Sequence, residues 1–379
     1  MTRPTAIVIG TGVAGAATSF SLARRGVSVT LLEAGFPGAA TAAGAGMIQP
    51  WSSARTGEFY SVYSAGADYY DDLIQQLAAV GVNKIGYRRT GAIVVNRDQG
   101  VLDEVENRLI VRSAAAQSMG IVSRVTNAAA RELFPPLGPN FEALHIPGGA
   151  HVDGRALREG LLTASQLLGA TVVRGTASLV PVGERGLAVR IGERTLEADI
   201  TVIAAGAWTN RLLEPIGQRI PVEPQRGQVA HLRVAADTRS WPSVHPVSSH
   251  YIVAFDDSRV VIGATQEPDT GFDPRVTAAG QRQLLENALS VAPGLGDATI
   301  IETRVGLRPS PDGGMPLVGP LQGMDGVFLN AGFGAVGLTI GPVVGDLLAA
   351  IALGESASPE AGFLSNIDGF MKHPAPRNE

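Results

Sequence analysis

The hydrophobic pattern is most regular near the two ends of the chain, where a short apolar run leads into a glycine-rich turn. Near the start, AIVI is followed by GTGVAG, the segment AATSFSLARRG and a second apolar run, VSVTLLEAG. Near the end, GVFLNA is followed by GFGAVGLTIGP at residues 332–342. Short continuous apolar runs are typical of buried parallel strands. Each segment therefore predicts a strand, a tight turn and the start of a helix.

The segments between these two units predict further helices and strands. Helical periodicity occurs in GRALREGLLTASQLLG, LDEVENRLIVRSAAAQSMG and TAAGQRQLLENALSVA, and Asp153 is a candidate N-cap for the first of them. LEADITVIAAGAW indicates another buried strand that ends in a turn of small residues. RGQVAHLRV, YIVAF and RVVIGAT are short and alternating, which predicts an antiparallel sheet. RTGAIVVNRD has the form of an edge hairpin.

This order of elements predicts an α/β protein. A Rossmann-like dinucleotide-binding domain is interrupted twice by pieces of a second domain, an α+β substrate domain with a mainly antiparallel sheet. A chain of 379 residues is long enough for two domains. The predicted boundaries place residues 1–84, 145–215 and 306–379 in the first domain, and residues 85–144 and 216–305 in the second.

The first glycine turn carries the chemistry of dinucleotide binding. Gly10 makes the sharp turn, Gly12 lets a pyrophosphate approach the backbone, and Gly15 lets helix and strand pack closely. The helix N-terminus then presents free N–H groups to the phosphates. Glu33, at the end of the second strand, is placed to accept hydrogen bonds from ribose hydroxyls. These features predict a dinucleotide, and they do not distinguish NAD from FAD.

Composition and charge narrow the classes of partner and site. The net charge is −5 and no basic run occurs, so a nucleic-acid partner is not expected. The chain has no cysteine, which excludes disulfides, thiolate nucleophiles and cysteine-ligated metals. The six histidines show no metal-binding spacing, and no metal site is predicted.

The uncharged stretch near the N-terminus could be mistaken for a signal peptide or a membrane helix. It contains three glycines of the first turn and several hydroxyl residues, which a buried strand followed by a packed helix explains better. The apolar stretch VVGDLLAAIALG is too short to span a bilayer. We therefore expect a cytoplasmic protein without a membrane span.

Six motifs in this order resemble one family: GTGVAG…LLEAG, TAAGAGM, TVIAAGAWT, YIVAF…RVVIGAT, VGLRPSPDGGMPLVG and NAGFGAVGLTIGP. The chain is similar to the FAD-dependent amine oxidoreductases that include glycine oxidase, D-amino acid dehydrogenase and oxidase, and sarcosine oxidase. The resemblance covers nearly the whole chain. It implies that the dinucleotide is FAD, and the absence of cysteine favours non-covalent binding.

The resemblance also implies which residues hold each part of the cofactor. The adenosine and pyrophosphate would lie on the first glycine turn and the isoalloxazine ring near the second, where helix N–H groups stabilise charge that develops on the reduced ring. The implied cofactor-binding residues are Gly10, Gly12, Val13, Ala14, Gly15, Glu33, Ala34, Thr41, Ala45, Gly46, Met47, Ala205, Gly206, Gly306, Gly332, Phe333, Gly334, Ala335, Val336, Gly337, Leu338 and Thr339.

Three side chains match substrate-facing positions of the family. Arg308, in GLRPSPDGG, would hold the substrate carboxylate, which a planar guanidinium grips at both oxygens. Tyr251 would donate a hydrogen bond to the same group, and Arg226 would supply a second cation. Some glycine oxidases carry an arginine where this chain has Ala335. Three aromatic residues are candidates for a lid or a wall of the substrate pocket: Trp51, Tyr60 and Tyr63. Their spacing fits packing along a helix equally well.

The implied reaction is FAD-dependent oxidation of the Cα–N bond of a small amino acid, either a D-amino acid or a glycine-like one. Hydride would pass from Cα to flavin N5, and the imino acid would hydrolyse to a 2-oxo acid and ammonia. The expected partners are an amino acid or amine substrate and oxygen or a quinone-type electron acceptor. Alternatives are an FAD enzyme acting on 2-hydroxy acids or specialised-metabolite amines, an NAD-dependent dehydrogenase that uses only the first turn, and a binding protein without turnover.

Overall fold

The computed structural model describes residues 3–355 as alternating strands and helices. The helices of this part are α1 (Val13–Arg24), α2 (Ala40–Ala43), α3 (Gly57–Ala79), α4 (Gln99–Ser113), α5 (Asn127–Leu133), α6 (Gly154–Leu167), α7 (Thr209–Leu213), α8 (Ala278–Val291) and α9 (Gly337–Ala352). None of them combines the length and the apolar character that a membrane crossing requires.

The strands of the described residues form four sheets. They are β1 (Thr5–Ile9), β2 (Ser28–Glu33), β3 (Met47–Ile48), β4 (Tyr87–Arg89), β5 (Ala92–Asn96), β6 (Ser123–Val125), β7 (Glu142–Ile146), β8 (Ala150–Val152), β9 (Thr171–Arg174), β10 (Ala177–Val182), β11 (Gly186–Ile191), β12 (Arg194–Leu196), β13 (Ile200–Ile203), β14 (Val222–Arg233), β15 (Ser243–His245), β16 (Tyr251–Ala254), β17 (Arg259–Gly263), β18 (Thr299–Pro311), β19 (Leu317–Pro320) and β20 (Val327–Ala331).

The six-stranded sheet, in the order β19-β20-β13-β1-β2-β9, carries both glycine-rich turns. Its strands are parallel except for β19, which pairs antiparallel at one edge. The apolar runs predict this arrangement because a strand covered on both faces needs apolar side chains on both. In β1 and β13 nearly every residue is buried. The predicted α/β fold with a Rossmann-like sheet is therefore confirmed.

Helices α1 and α9 pack against each other through glycines. A methyl group added at Gly345 would lie 2.8 Å from Ala17 Cβ and 2.8 Å from the backbone nitrogen of Thr18. One added at Gly341 would lie 3.1 Å from the side chain of Val13. The two helix axes approach this closely only because these positions lack side chains. Helices from opposite ends of the sequence thus begin side by side.

The eight-stranded sheet has the order β18-β14-β17-β16-β15-β5-β7-β6 and is antiparallel except for the β15–β5 pair. The predicted antiparallel pairing of β14, β16 and β17 is confirmed. The predicted edge hairpin is wrong, because β4 pairs with β8 in a separate three-stranded sheet. Strand β5 instead lies inside the large sheet, between β15 and β7. The division of the chain into domains by residue number stays a prediction.

Side-chain capping distinguishes several helices from α1 and α9. The predicted N-cap Asp153 is confirmed, since its carboxylate accepts from the N–H groups of Arg155 and Ala156 at the start of α6. Asp98, Thr126 and Thr277 cap α4, α5 and α8 in the same way. By contrast, α1 and α9 have no side-chain cap and no acidic residue in their first turns. Apart from the Val13 N–H, which donates to Thr41 Oγ1 at 2.9 Å, their first N–H groups have no side-chain acceptor among the described residues and remain open to an anionic ligand.

The contact between α1 and α9 predicts that Gly345→Ala destabilises the protein. The new methyl group meets backbone atoms of α1, which are unable to move aside as a flexible side chain does. We expect a loss of about 1–3 kcal/mol in the free energy of unfolding. Urea denaturation monitored by circular dichroism measures it.

Gly100→Ala in the exposed first turn of α4 is the matched control. There an added methyl group would lie 3.3 Å from the Asp98 side chain, with no backbone atom against it. It should leave stability unchanged or raise it slightly, because alanine favours helix over glycine. Equal denaturation midpoints for the two variants would contradict the packing argument.

Candidate active site

The N-termini of α1 and α9 open onto one large cavity. Its volume is about 1400 Å³, larger than the roughly 300–1,000 Å³ of most small-molecule pockets. The carboxyl ends of β2 and β9 and helix α6 line one end, and the two glycine-rich turns line the middle. Strands β14 and β16 and the end of β18 line the other end, here called the substrate end. The cavity therefore suits a long ligand together with a smaller one.

The structure brings the predicted cofactor-binding residues together around this cavity, with the exception of Gly15. Those that line it are Gly10, Gly12, Val13, Ala14, Glu33, Ala34, Thr41, Ala45, Gly46, Met47, Ala205, Gly206, Gly306, Gly332, Phe333, Gly334, Ala335, Val336, Gly337, Leu338 and Thr339. Their individual contacts with a cofactor stay predictions.

The first turn has the geometry that its glycines predict. Gly10 has a φ of +107°, and a methyl group there would collide with the carbonyl oxygen of Ala204 on the neighbouring strand. A methyl group at Gly15 would collide with the carbonyl oxygen of Gly10. Gly15 therefore acts by packing α1 against the end of β1, outside the cavity lining. The Val13 N–H donates to Thr41 Oγ1 at 2.9 Å, which ties the α2 segment to the helix N-terminus.

Glu33 is held in place by residues that the sequence motif does not identify. Its Oε1 accepts from the Gly35 N–H at 2.7 Å, and its Oε2 accepts from Arg158 Nη2 at 2.6 Å and from the Thr11 hydroxyl. Arg158, on α6, also donates to the Thr11 carbonyl at 2.7 Å. A carboxylate has about four acceptor positions and three are taken here, so Glu33 retains one for a ribose hydroxyl. Arg158 fixes its orientation.

The second turn aims its backbone at the same cavity. Gly332 and Gly334 adopt φ values of +79° and +50°, which only glycine adopts readily, and Val336 precedes the first turn of α9. Ala335, at the position where some related enzymes have an arginine, adds no charge. The N-terminus of α9 is thus a source of positive potential at this point of the wall.

These features fit FAD. The uncapped N-terminus of α1 suits the pyrophosphate, and Glu33 suits the adenosine ribose. The small residues of the α2 segment leave a flat wall between the two turns. The second helix N-terminus also lines this cavity and would stabilise negative charge on a reduced isoalloxazine ring bound beside it. An NAD site would use the first turn and leave the second without a role.

At the substrate end, Arg308 and Tyr251 lie together on the cavity wall. Arg308 Nη1 donates to the Thr265 carbonyl at 3.0 Å, and the guanidinium also hydrogen-bonds the Tyr251 hydroxyl. Burial raises the pKa of Tyr251 although Arg308 opposes the shift, so the phenol stays protonated at neutral pH. The pair combines a fixed cation with a neutral hydrogen-bond donor.

Two glycines make room for this pair. A methyl group at Gly227 would collide with the Arg308 guanidinium, and one at Gly263 would lie 2.9 Å from Cε2 of the Tyr251 ring. Gly263 faces Tyr251 directly across the β16–β17 pairing. The Arg308 and Tyr251 side chains lie over these two strand positions, which therefore require glycine.

Arg226 does not line the cavity, which corrects its predicted role as a second substrate-binding cation. It is buried, and its guanidinium donates to Glu267 Oε2 at 2.7 Å and to Asp273 Oδ2 at 2.7 Å. Glu267 Oε1 accepts from the Thr265 hydroxyl at 2.6 Å, and the carbonyl of Thr265 accepts from Arg308. The guanidinium of Arg226 is thus occupied by two carboxylates. Through Glu267 and Thr265 it helps to fix the carbonyl that holds Arg308.

The three aromatic residues that could form a lid or wall have different positions. Tyr63 lines the cavity, where burial raises its pKa to about 12 and its hydroxyl hydrogen-bonds Thr339. Trp51 is enclosed in the core, and Tyr60 lies beneath the Arg112 guanidinium at 3.6 Å from its ring centre. Only Tyr63 of the three touches the site, at the N-terminus of α9.

Comparisons with known proteins agree with this site. The family model "DAO: FAD dependent oxidoreductase" matches residues 5–351. The oxidoreductase YurR of Bacillus subtilis is 43% identical, over 92% of this chain and 95% of its own length. Glycine oxidase of Pseudomonas putida is 31% identical, over 89% of this chain and 91% of its own.

A solved structure gives the same result for the fold. Iminodiacetate oxidase from Chelativorans sp. BNC1 superposes with a TM-score of 0.91 at 43% identity, covering 93% of this chain and 96% of that one. The family model, the relatives and the cavity with its two open helix N-termini lead to one conclusion. The chain belongs to the DAO family of FAD-dependent oxidoreductases.

Proposed function

We propose that the protein oxidises the Cα–N bond of a small amino acid, glycine-like or of the D series, to an imino acid that hydrolyses to a 2-oxo acid and ammonia. The observation that carries this proposal is the Arg308–Tyr251 pair on the cavity wall. A guanidinium backed by a neutral phenol is a receptor for one carboxylate. Glycine and iminodiacetate, in the names of the relatives, both combine an amine with a carboxylate.

The residues of this chain bind and orient the substrate. Arg308 grips the carboxylate, and Tyr251 donates a third hydrogen bond to it. Fixing the carboxylate directs the Cα–H bond relative to the second glycine turn, and such orientation accounts for much of the rate of a reaction of this kind. Bound FAD supplies the two-electron acceptor for the oxidation.

Among the residues that the structure describes, no acidic side chain at the substrate end is available as an ionic partner for the amine. Among the described residues, the acidic side chains that line the cavity are Glu33 and Glu159, both at the opposite end. An ammonium group beside Arg308 would therefore lack a counter-charge, whereas a neutral amine needs none. The amine is bound neutral, and its lone pair is then available as electrons leave the Cα–H bond.

The experiment that tests the function is anaerobic reduction of the bound flavin by a panel of compounds. The panel holds D- and L-amino acids, N-substituted glycines and 2-hydroxy acids. Bleaching of the flavin absorbance by amino acids, with release of ammonia, supports the proposal. If only 2-hydroxy acids reduced the flavin, the Arg308–Tyr251 pair would bind the carboxylate of a 2-hydroxy acid, and the proposed reaction would be wrong.

The cavity predicts that FAD is held without a covalent bond. The chain has no cysteine for a thioether link, and the described histidine on the cavity wall, His245, lies at the substrate end, on the eight-stranded sheet. Denaturation followed by ultrafiltration should release all flavin absorbance into the filtrate. Yellow colour retained with the denatured chain would contradict this prediction.

Arg308→Ala should lower kcat/KM for the amino acid by about 10- to 150-fold, because a charge-assisted hydrogen bond contributes about 1.5–3 kcal/mol. FAD should remain bound. Arg308→Lys should recover little, since an ammonium lacks the two-pronged donor geometry. Stopped-flow flavin reduction measures the effect.

Arg190→Ala, on the exposed face of β11, is the control for loss of an arginine. It lies outside the cavity lining and should leave flavin reduction unchanged. Wild-type kinetics in the Arg308→Ala variant would remove Arg308 from the substrate site.

The distribution of lysines predicts slow reaction of the reduced enzyme with oxygen. Sarcosine oxidases of the family use a lysine beside the flavin, whereas this chain has Lys84 and Lys372 as its lysines. Lys84 is exposed and outside the cavity lining, and Lys372 lies outside the described residues. Stopped-flow reoxidation should be faster with a quinone than with oxygen at equal concentration. Faster reoxidation by oxygen would class the enzyme with the oxidases.

A further inference from the structure

His245 is a side chain at the substrate end with no role in the contacts described above. It is the last residue of β15, which pairs with the strand that carries Tyr251, and it lines the cavity. Its Nδ1 atom is enclosed by protein and has no hydrogen-bond partner among the described residues. Its Nε2 atom also has no hydrogen-bond partner among the described residues and is not enclosed, so Nε2 is the ring atom that a ligand in the cavity can reach.

The charge and tautomer of His245 follow from its surroundings. Burial lowers its pKa to about 4, so the ring is neutral at pH 7, with one N–H group and one free lone pair. An unpaired N–H group is less readily enclosed than an unpaired lone pair. The proton therefore belongs on Nε2, the nitrogen that the protein does not enclose. The ring then presents an N–H donor to the cavity.

Neutral polar groups surround the mouth of the cavity beside His245. Ser248, Ser249 and Gln266 line it and are exposed. Ser248 Oγ accepts from the His250 N–H at 3.2 Å, which leaves its hydroxyl proton free for another acceptor. These groups are neutral, unlike the Arg308 guanidinium that would hold the substrate carboxylate. Ser249 Oγ lies 3.5 Å from His250 Nε2, whereas the Nε2–H group of His245 and the hydroxyl proton of Ser248 have no acceptor among the described residues. Such donors suit a ligand that brings an oxygen.

We infer that His245, with Ser248 and Ser249, forms a second recognition site for an oxygen-bearing group of the substrate. The group is a hydroxyl, carboxamide or carboxylate, carried on the side chain or on the nitrogen of the amino acid. This inference rests on the proposed function, because Arg308 must hold the first carboxylate for a second group to reach His245. Substrates with a purely apolar substituent leave these donors unpaired and bind less well.

The test uses two pairs of compounds that differ by a hydroxyl in place of a methyl group. D-Serine is compared with D-2-aminobutyrate, and N-(2-hydroxyethyl)glycine with N-propylglycine, in anaerobic flavin reduction by the holoenzyme. The wild type should prefer the hydroxyl compound in at least one pair. His245→Phe should lower the rate constant divided by Kd for that compound by about two- to tenfold, with little change for its methyl partner.

Two further variants separate recognition from structure. His245→Gln retains an N–H donor and should recover part of the preference. His145→Phe changes a histidine of the same sheet outside the cavity lining and should change neither compound of a pair. If His245→Phe loses FAD, the test rests on His245→Gln. A preference for the hydroxyl compound that is smaller than in the wild type then supports the second recognition site, and an unchanged preference contradicts it.

The outcomes are distinguishable from failure of the proposed function. Equal losses for both compounds of a pair in His245→Phe, or no hydroxyl preference of the wild type in either pair, would overturn the second recognition site alone. A holoenzyme whose flavin is reduced by 2-hydroxy acids and by none of the amino acids would overturn the proposed function and this inference with it.

Discussion

The glycine-mediated contact between α1 and α9 determines where the chemistry of this protein takes place. Gly341 and Gly345 let α9 lie directly on α1, and Gly15 lets α1 lie on β1. Both helices follow central strands of one parallel sheet, so both begin at its carboxyl edge. Two open helix N-termini then face one cavity. Side chains at these glycines would separate the two turns and divide the cavity that a two-part cofactor needs.

The substrate end is held by a different kind of constraint, a buried network of charges and hydrogen bonds. Arg226 lies between Glu267 and Asp273, and Glu267 in turn holds the hydroxyl of Thr265. Hydrogen bonds from Thr265, Gln228 and Arg226 lower the pKa of Glu267 against the effect of burial, so this carboxylate stays ionised. The carbonyl of Thr265 thereby becomes a fixed acceptor for Arg308, the residue proposed to bind the substrate carboxylate.

Local spacing explains which parts of this structure can be predicted from the sequence. The positive φ of Gly10, the packing of Gly15 on Gly10 and the turn before α9 depend on neighbours within a few residues, so the motif carries them. The contact that excludes a side chain at Gly10 comes instead from the distant Ala204. The role of Arg226 depends on Glu267, 41 residues further along the chain, and no local pattern shows that pairing. Arg158 reaches Glu33 across 125 residues. For the same reason the hairpin prediction failed, because the partners of β5 are supplied by two distant strands.

The charged residues on the cavity wall differ between its two ends. The end lined by α6 carries Arg155, Arg158 and Arg174 together with Glu33, which suits a ligand with phosphates and ribose hydroxyls. The substrate end carries Arg308 together with the neutral side chains of Tyr251, His245, Ser248 and Ser249, and Arg211, which also lines the cavity, stacks on the ring of Phe272. On the proposed function, one substrate carboxylate would neutralise Arg308 and the amine would enter uncharged. Selection among substrates would then depend on uncharged hydrogen bonds, which discriminate by leaving a buried donor unpaired when the ligand brings no oxygen.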